Sequence, residues 1–458
     1  MDKQLSESLS MLALFIKRFP NQLSIARRQP SFPEIETRIV DAIGDAVSPA
    51  AAADAYERFG SILPNWTFYV ASDTGVAPGV SVNRSFSEGS VVRGLLPKER
   101  VMLLDSNIQQ TRSTGSYAVL SCDYSIALDT QTVSYLEPYL SGNRGRLPKD
   151  FREVFEFIAR DDVFVDPIPY MIENLPNILE EENVLGIKEK LIGYERLREL
   201  DASALHSTGD VRFKSSDEEI ERRVDEHLSM MKEDAAQPEI LESVLYDHAV
   251  MYSLLLKMTI IQLRKPQALA VASKVNEFLE FLNDRLHTLF LREIVVATEY
   301  FKKGQQLRFF GKIQRSEPDC LPELLDQLKN MAWDLLHLRM MEGMLNVRLR
   351  TTALRSRPRY YFPSLLTCDR RFIEVIDLYP LKAYAYCHDS GRILTFPEAS
   401  WKKRLIETGI VTAKSLDEVL SEDAALRRRA NRDNSKKYLA SLIRELEEEF
   451  AAAAKRTG

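Results

Sequence analysis

The chain has 458 residues, 45% of them apolar and 28% charged, which are the proportions of a folded globular protein and exclude a disordered or fibrous one. A formal net charge of −6 excludes nucleic-acid binding through a general basic field, so any such contact has to come from local patches. Length alone suggests about three domains.

Residues 1–62 read as helical, with LSMLALFIKRF and AVSPAAAADAYERFG as the clearest pieces. From 65 to 95, β-formers separated by Gly, Pro and Asn predict a hairpin or extended excursion. Strands are expected in RVMLLDSN at 100–107 and CDYSIALDT at 122–130. QTVSYLEPYL at 131–140 then places Val133, Leu136 and Leu140 on one helical face. Helical signals dominate from about 147 to 347. Within that span, residues 205–238 are polar and charge-rich and read as a flexible connection. Residues 239–264 and 266–303 read as two long helices divided at Pro266, the second stopped by Gly304. FPSLLTCDRRFIEV follows at 362–375, a short apolar run entered through Pro363 and ending in a carboxylate. A strand pair, LKAYAYCH and GRILTFP, comes next, and residues 416–454 close the pattern as a charged helix. No internal repeat is visible. Strand, helices and strand again, with helices in excess, argue for an α/β core carrying a large helical elaboration.

Cys122, Cys320, Cys368 and Cys387 are too widely spaced for a disulfide framework or a zinc signature and suit a reducing cytoplasm. No leader pattern is seen, and the most apolar stretch, YSLLLKMTIIQL at 252–263, is too short to span a bilayer and carries Lys257 in its middle. The expectation is a cytoplasmic protein without a membrane partner.

Three aspartates share an unusual neighbourhood. Asp129 ends YSIAL and precedes a helix. Asp334 lies within MAWDLLHL, on the shoulder of a stripe formed by Leu324, Leu328, Met331, Leu335, Leu338 and Leu345, and should be half-buried. Asp369 ends PSLLTC. Each has a plain role open to it: Asp129 as a helix cap, Asp334 paired with Arg339 or His337, Asp369 paired with Arg370 or Arg371. Together, carboxylates converging at strand ends are what a pair of Mg²⁺ or Mn²⁺ ions needs. Such a pair activates water and stabilises the leaving oxygen in phosphodiester cleavage.

These segments resemble PIN-domain nucleases. IALDTQTVSYL resembles their first strand and helix, AWDLLHLRMMEG the helix of their third acid, and LLTCDRRF their closing strand. The resemblance implies a parallel-sheet α/β core, metal-dependent RNA hydrolysis with Mg²⁺ or Mn²⁺, an acidic cluster of Asp129, Asp334 and Asp369, and a supporting hydroxyl from Thr367. The family's second acid has no direct match. Glu173 in DPIPYMIENLPNI is chosen because Pro167 and Pro169 can open a short helix that presents it. Asp105 in RVMLLDSN rivals Asp129 as first acid, but a regular amphipathic helix follows Asp129. A haloacid-dehalogenase-type phosphatase would need a second Asp where Gln131 stands.

The chain then divides into a mainly helical region at 1–99, the first part of the PIN-like core at 100–182, a helical insertion at 183–320, the second part of the core at 321–400, and a charged helical tail at 401–458. Arg355, Arg357 and Arg359, in NVRLRTTALRSRPRYYFP before Tyr360, Tyr361 and Phe362, together with Arg370, read as contacts for single-stranded RNA, guanidinium for phosphate and ring for base. The basic run Arg427 to Lys437 reads as a solvated helix face. The six histidines have no zinc spacing, and Walker, G-x-G-x-x-G and G-x-S-x-G motifs are absent from the sequence. Glu293 and Glu299 read as helix-packing residues, with Glu293 a conceivable addition to the acidic site.

The expectation is a cytoplasmic, metal-dependent, PIN-like endoribonuclease. PIN ribonucleases of the toxin class imply growth arrest or antiviral defence as a setting, and a regulatory protein partner or an oligomer stays open. The alternative is a non-catalytic helical scaffold with a degenerate α/β core.

Overall fold

The computed structural model describes residues 3–77, 80, 82–113, 120–208, 210–264, 271–314, 320–344 and 359–455. Two sheets are woven from strands far apart in the chain: β1 (Trp66–Ser72), β2 (Arg84–Ser85), β3 (Val91–Gly94), β4 (Arg100–Leu104), β5 (Ser121–Leu128), β6 (Val165–Asp166), β7 (Arg359–Thr367), β8 (Leu381–Cys387) and β9 (Ile393–Pro397). The order β4-β1-β8-β9 makes an antiparallel sheet. The order β2-β3-β7-β5-β6 makes a second, mixed sheet in which β6, β5 and β7 run parallel while β3 and β2 extend it antiparallel. The fold is mixed α/β with helix predominating, and its parallel part is three strands wide.

Side chains alternate across a strand, and that alternation decides what the mixed sheet separates. Ile126, Leu128 and Leu366 enter one core with Val133, Leu136, Phe155 and Leu191. Ala127 and Leu365 enter another, built on the helices Pro238–Arg264, Leu291–Lys303 and Leu321–Met344. The mixed sheet is therefore helix-covered on both faces, which suits its apolar parallel strands. Pro363 lies in its central strand without breaking it. Pairing of β3 with β7 runs from Ser364 to Thr367, so at Pro363 the strand is bonded on the β5 side alone. The antiparallel sheet packs Trp66, Phe68, Val70 and Leu104 against the N-terminal helices. Its Tyr69 meets the mixed sheet edge-on at Phe362, 5.8 Å between ring centroids.

Several expectations are corrected. Residues 205–238 are not a flexible connection: Asp217–Ala235 is a helix that buries Ile220, Val224, Leu228, Met231 and Ala235. Those positions recur at helical spacing beneath an otherwise charged surface. Pro266 lies outside the described residues, and within 271–303 there are two helices, Val271–Asp284 and Leu291–Lys303, where one was expected. His287, between them, takes φ 51°, which breaks a helix. Gly304 ends the second at φ 57°, as expected. The charged tail is no tail, because Glu422–Ala454 runs along Pro238–Arg264 and buries Leu439, Leu442, Leu446 and Phe450. Residues 66–99 are not part of a helical region but supply β1, β2 and β3 to both sheets, and β4 joins β1 rather than the parallel strands. Pro238–Arg264 has 27 residues and is, by length and composition, long and apolar enough to cross a membrane. Most of its apolar surface is buried by other helices, and Lys257 pairs with Glu277 at 3.1 Å.

Candidate active site

Leu128 of β5 lies in register with Leu366 of β7, and the Asp129 N–H extends the ladder by donating to the Leu366 carbonyl at 3.1 Å. Both strands then stop, each on an aspartate that starts a helix. Asp129 caps Thr130–Leu140, its Oδ1 accepting from the Thr132 N–H at 2.6 Å. Asp369 caps Arg370–Ile376, its Oδ1 accepting from the Arg371 N–H at 2.8 Å. A capping carboxylate takes up one orphan N–H and sits at the positive end of the helix. The third parallel strand, β6, leads into Ile168–Glu173, which opens on Pro167 and Pro169 and carries Glu173 as its last residue. Glu173 accepts from the Thr130 hydroxyl next to Asp129. Three carboxylates thus follow three adjacent parallel strands, beyond their carboxyl ends, where open α/β sheets bind ligands.

The fourth carboxylate comes from across the sheet. Asp334 is half-buried on Leu321–Met344, between fully or nearly fully buried Met331, Leu335 and Leu338. Burial raises its carboxyl well above the ordinary range, and Asp369, Asp129 and Glu173 push it further the same way, with Arg371 acting against them. Asp129, 6% exposed, is also raised by burial and by Asp369, although Thr132 and Thr367 hydrogen bonds oppose this. Glu173 is raised by burial and Asp129, and lowered by Thr130 and Lys190. Asp369 moves the other way: burial would raise it, but hydrogen bonds from Arg371 bring it below its usual value. Four acids from four segments therefore feel one another's charge, and one of them has been given a cation. Acids pushed apart in this way mark a site able to hold cations and move protons.

Thr367, fully buried, accepts from the Asp369 N–H at 3.1 Å and bonds Asp129, so one hydroxyl ties two of the acids together. His337, three residues beyond Asp334, is 2% exposed with neither ring nitrogen in a full hydrogen bond. Its Nε2 stands 3.9 Å from Glu173 Oε2, and burial lowers it to about 4, so the imidazole is neutral. Sequence reasoning considered His337 and Arg371 only as neutralising partners for Asp334 and Asp369, and it met Thr130 within the motif after Asp129 without giving it a role in the site. The signal for Thr130 was its place directly after Asp129, in the first turn of the capped helix.

Other expected residues lie elsewhere. Asp105 ends β4 in the antiparallel sheet and accepts from Tyr360 Oη at 2.7 Å and the Ile108 N–H at 2.8 Å. Glu293 is fully buried and forked to Arg339. Arg339 is thereby taken from Asp334, which has no hydrogen bond or ion pair among the described residues. Arg370 is paired with Glu88 at 3.1 Å on the surface. Arg355 and Arg357 lie outside the described residues. Arg359 begins β7 and Thr367 ends it, which separates them by about 26 Å at about 3.3 Å per residue. Arg359 therefore stands at the end of β7 opposite the acids.

Hard divalent ions take oxygen donors, and the four side chains offer nothing else. In charge and donor type the set fits Mg²⁺ or Mn²⁺. In spacing it does not, since no three His, Cys, Asp or Glu side chains among the described residues are grouped to hold a metal ion. The oxygens are otherwise engaged: one of Asp129 as a cap, one of Glu173 with Thr130, and both of Asp369 with Arg371. Set beside known proteins, the chain matches no family model, no curated protein and no solved structure.

Proposed function

We propose that this chain is a cytoplasmic, metal-dependent endoribonuclease of PIN-like architecture, with Asp129, Glu173, Asp334 and Asp369 as its metal-holding acids. One observation carries the reading: Asp334 is a half-buried acid raised by burial and then by three other carboxylates that act on it from separate elements. Such a concentration of negative charge is costly for folding and worthwhile where cations are to be held. When bound, Mg²⁺ or Mn²⁺ would activate a water and stabilise the leaving oxygen of a phosphodiester. Thr367 keeps Asp129 and the Asp369 backbone in register, and Thr130 orients Glu173. The helical layers would then control which RNA reaches the strand ends.

A second reading, a non-catalytic scaffold, is favoured by the capping roles of Asp129 and Asp369, which stabilise two helices without metal. The two part on one experiment. A labelled single-stranded RNA is incubated with the full chain in Mn²⁺, Mg²⁺ or EDTA, beside Asp129→Asn and Asp334→Asn. The nuclease reading expects cleavage that needs metal and is lost in both variants. Intact RNA with every metal, together with an absence of metal uptake, would leave the scaffold.

A further inference from the structure

A cavity of about 670 Å³ lies among the helices Ile168–Glu173, Pro238–Arg264, Leu321–Met344 and Glu422–Ala454. Its walls are mainly aliphatic and thioether, from Ile168, Ile172, Val250, Met251, Leu336 and Met340. Volume and lining are those of a site for a small organic molecule, in which helices hold an apolar body and a few polar groups fix its direction. None of the four acids lines it, although Ile172 directly precedes Glu173 and Leu336 follows Asp334 by two residues.

The charged side chains of the lining are Asp247, Arg339, Arg432 and Lys436. Arg339 is held by Glu293, whose carboxylate it forks at 3.1 and 2.5 Å. Two cations then stand against one carboxylate. Arg432 and Lys436 are four residues apart on one side of Glu422–Ala454, and both are exposed. The solvent side of the cavity therefore favours a negative head, and its walls an apolar body. Its rings are poorly placed to stack on a flat ligand, because each already has a cation over a face: Arg339 is 4.6 Å from the centre of Phe290, and Lys436 is 5.5 Å from that of Tyr246. Aliphatic walls and thioethers, which adapt their shape, suit a flexible chain better.

We propose that this cavity binds a single-chain amphiphile with an anionic head, a fatty carboxylate in its simplest form, with the chain among Ile168, Ile172, Met251, Leu336 and Met340 and the head beside Arg432 and Lys436. The proposal stands apart from the nuclease reading, since it asks nothing of the acids or of a metal. The chain supplies the affinity, at about fourfold per buried methylene, and the head supplies the direction. Gly343 gives a means of obstructing the site. It lines the cavity, and a side chain begun there would meet nothing within 4 Å of its first carbon. Leucine at that place enters without a clash at its root, and a helix prefers it to glycine.

Binding of octanoate, decanoate and dodecanoate to the full chain, each below its micelle concentration, is measured by calorimetry. Affinity should rise about fifteenfold with each added pair of methylenes, and dodecyltrimethylammonium should bind at least tenfold more weakly than dodecanoate. Lys436→Gln, at an exposed position that leaves the fold alone, should weaken dodecanoate about fivefold, as expected for a charge contact in water. Gly343→Leu should weaken it at least tenfold while melting no lower than wild type, which separates an obstructed cavity from a damaged fold. Wild type that binds no dodecanoate overturns the proposal. So does binding that Gly343→Leu or Lys436→Gln leaves intact, and so does equal affinity for the anionic and cationic amphiphiles.

Discussion

Asp334→Asn removes one carboxylate while keeping its shape, and its effect should reverse sign with metal. In the metal-free protein Asp334 has a folded-state carboxyl raised by burial and by Asp369, Asp129 and Glu173. A raised acid binds more protons folded than unfolded. Its contribution is therefore fully present below the ordinary Asp value of about 4 and is lost as pH rises toward the folded value. At pH 7 the wild type bears that loss and the Asn variant does not. For a half-buried polar group left without a partner the difference is about 1–2 kcal/mol. Unfolding entropy of about 2.1 cal/mol/K per residue over 458 residues converts 1 kcal/mol into about 1 °C. Metal-free Asp334→Asn should therefore melt about 1–2 °C above wild type at pH 7, and the gap should close toward pH 4. Mn²⁺ at about a hundred times its Kd adds about 2.7 kcal/mol to wild type, about 3 °C, and little to the variant. The order of melting should invert. Parallel thermal melts at pH 4.5, 6 and 7.5, with Mn²⁺ or EDTA, measure all of this. An Asn variant that melts below wild type without metal, or gains as much from Mn²⁺, refutes the reasoning.

Asp129→Asn and Asp129→Ala should both abolish the Mn²⁺-induced rise in melting temperature. Only Ala should cost about 1 kcal/mol of metal-free stability, because Asn still caps the helix; equal stability of the two by urea denaturation would show that the cap is idle. Thr367→Val should weaken Mn²⁺ binding while Thr367→Ser preserves it, since the hydroxyl and not the methyl joins Asp129 to Asp369; calorimetry that finds the two alike would remove Thr367 from the site. Phe450→Ala, at a fully buried position of the last long helix, should cost about 3–5 kcal/mol. A loss under about 1 kcal/mol in urea would return that helix to the status of a tail.

Local patterns were legible where one segment carries its own instruction. The apolar runs of β5 and β7, each stopped by an aspartate that can cap a helix, predict strand, cap and helix without reference to anything else. Pro167 and Pro169 likewise open the helix of Glu173. Surface charge misled in two places, because Asp217–Ala235 and Glu422–Ala454 expose so many charged residues that their buried stripes are hard to see. Which acids meet was beyond any local pattern. Asp105 and Asp129 both follow an apolar strand and begin a helix, yet one leaves the antiparallel sheet and is bound by the Tyr360 hydroxyl of β7, while the other stands beside Asp369. The difference is strand pairing: β4 pairs with β1, while β5 pairs with β7 from more than two hundred residues away. Alternation and capping say which face of a segment must be buried and where it must stop. They do not say against which partner, because the strength of a pairing depends on the complementary side chains of both strands, and a distant partner contributes nothing to the local pattern. The convergence of Asp129, Glu173, Asp334 and Asp369, and the arginine laid across one of them, were decided only when those partners came together.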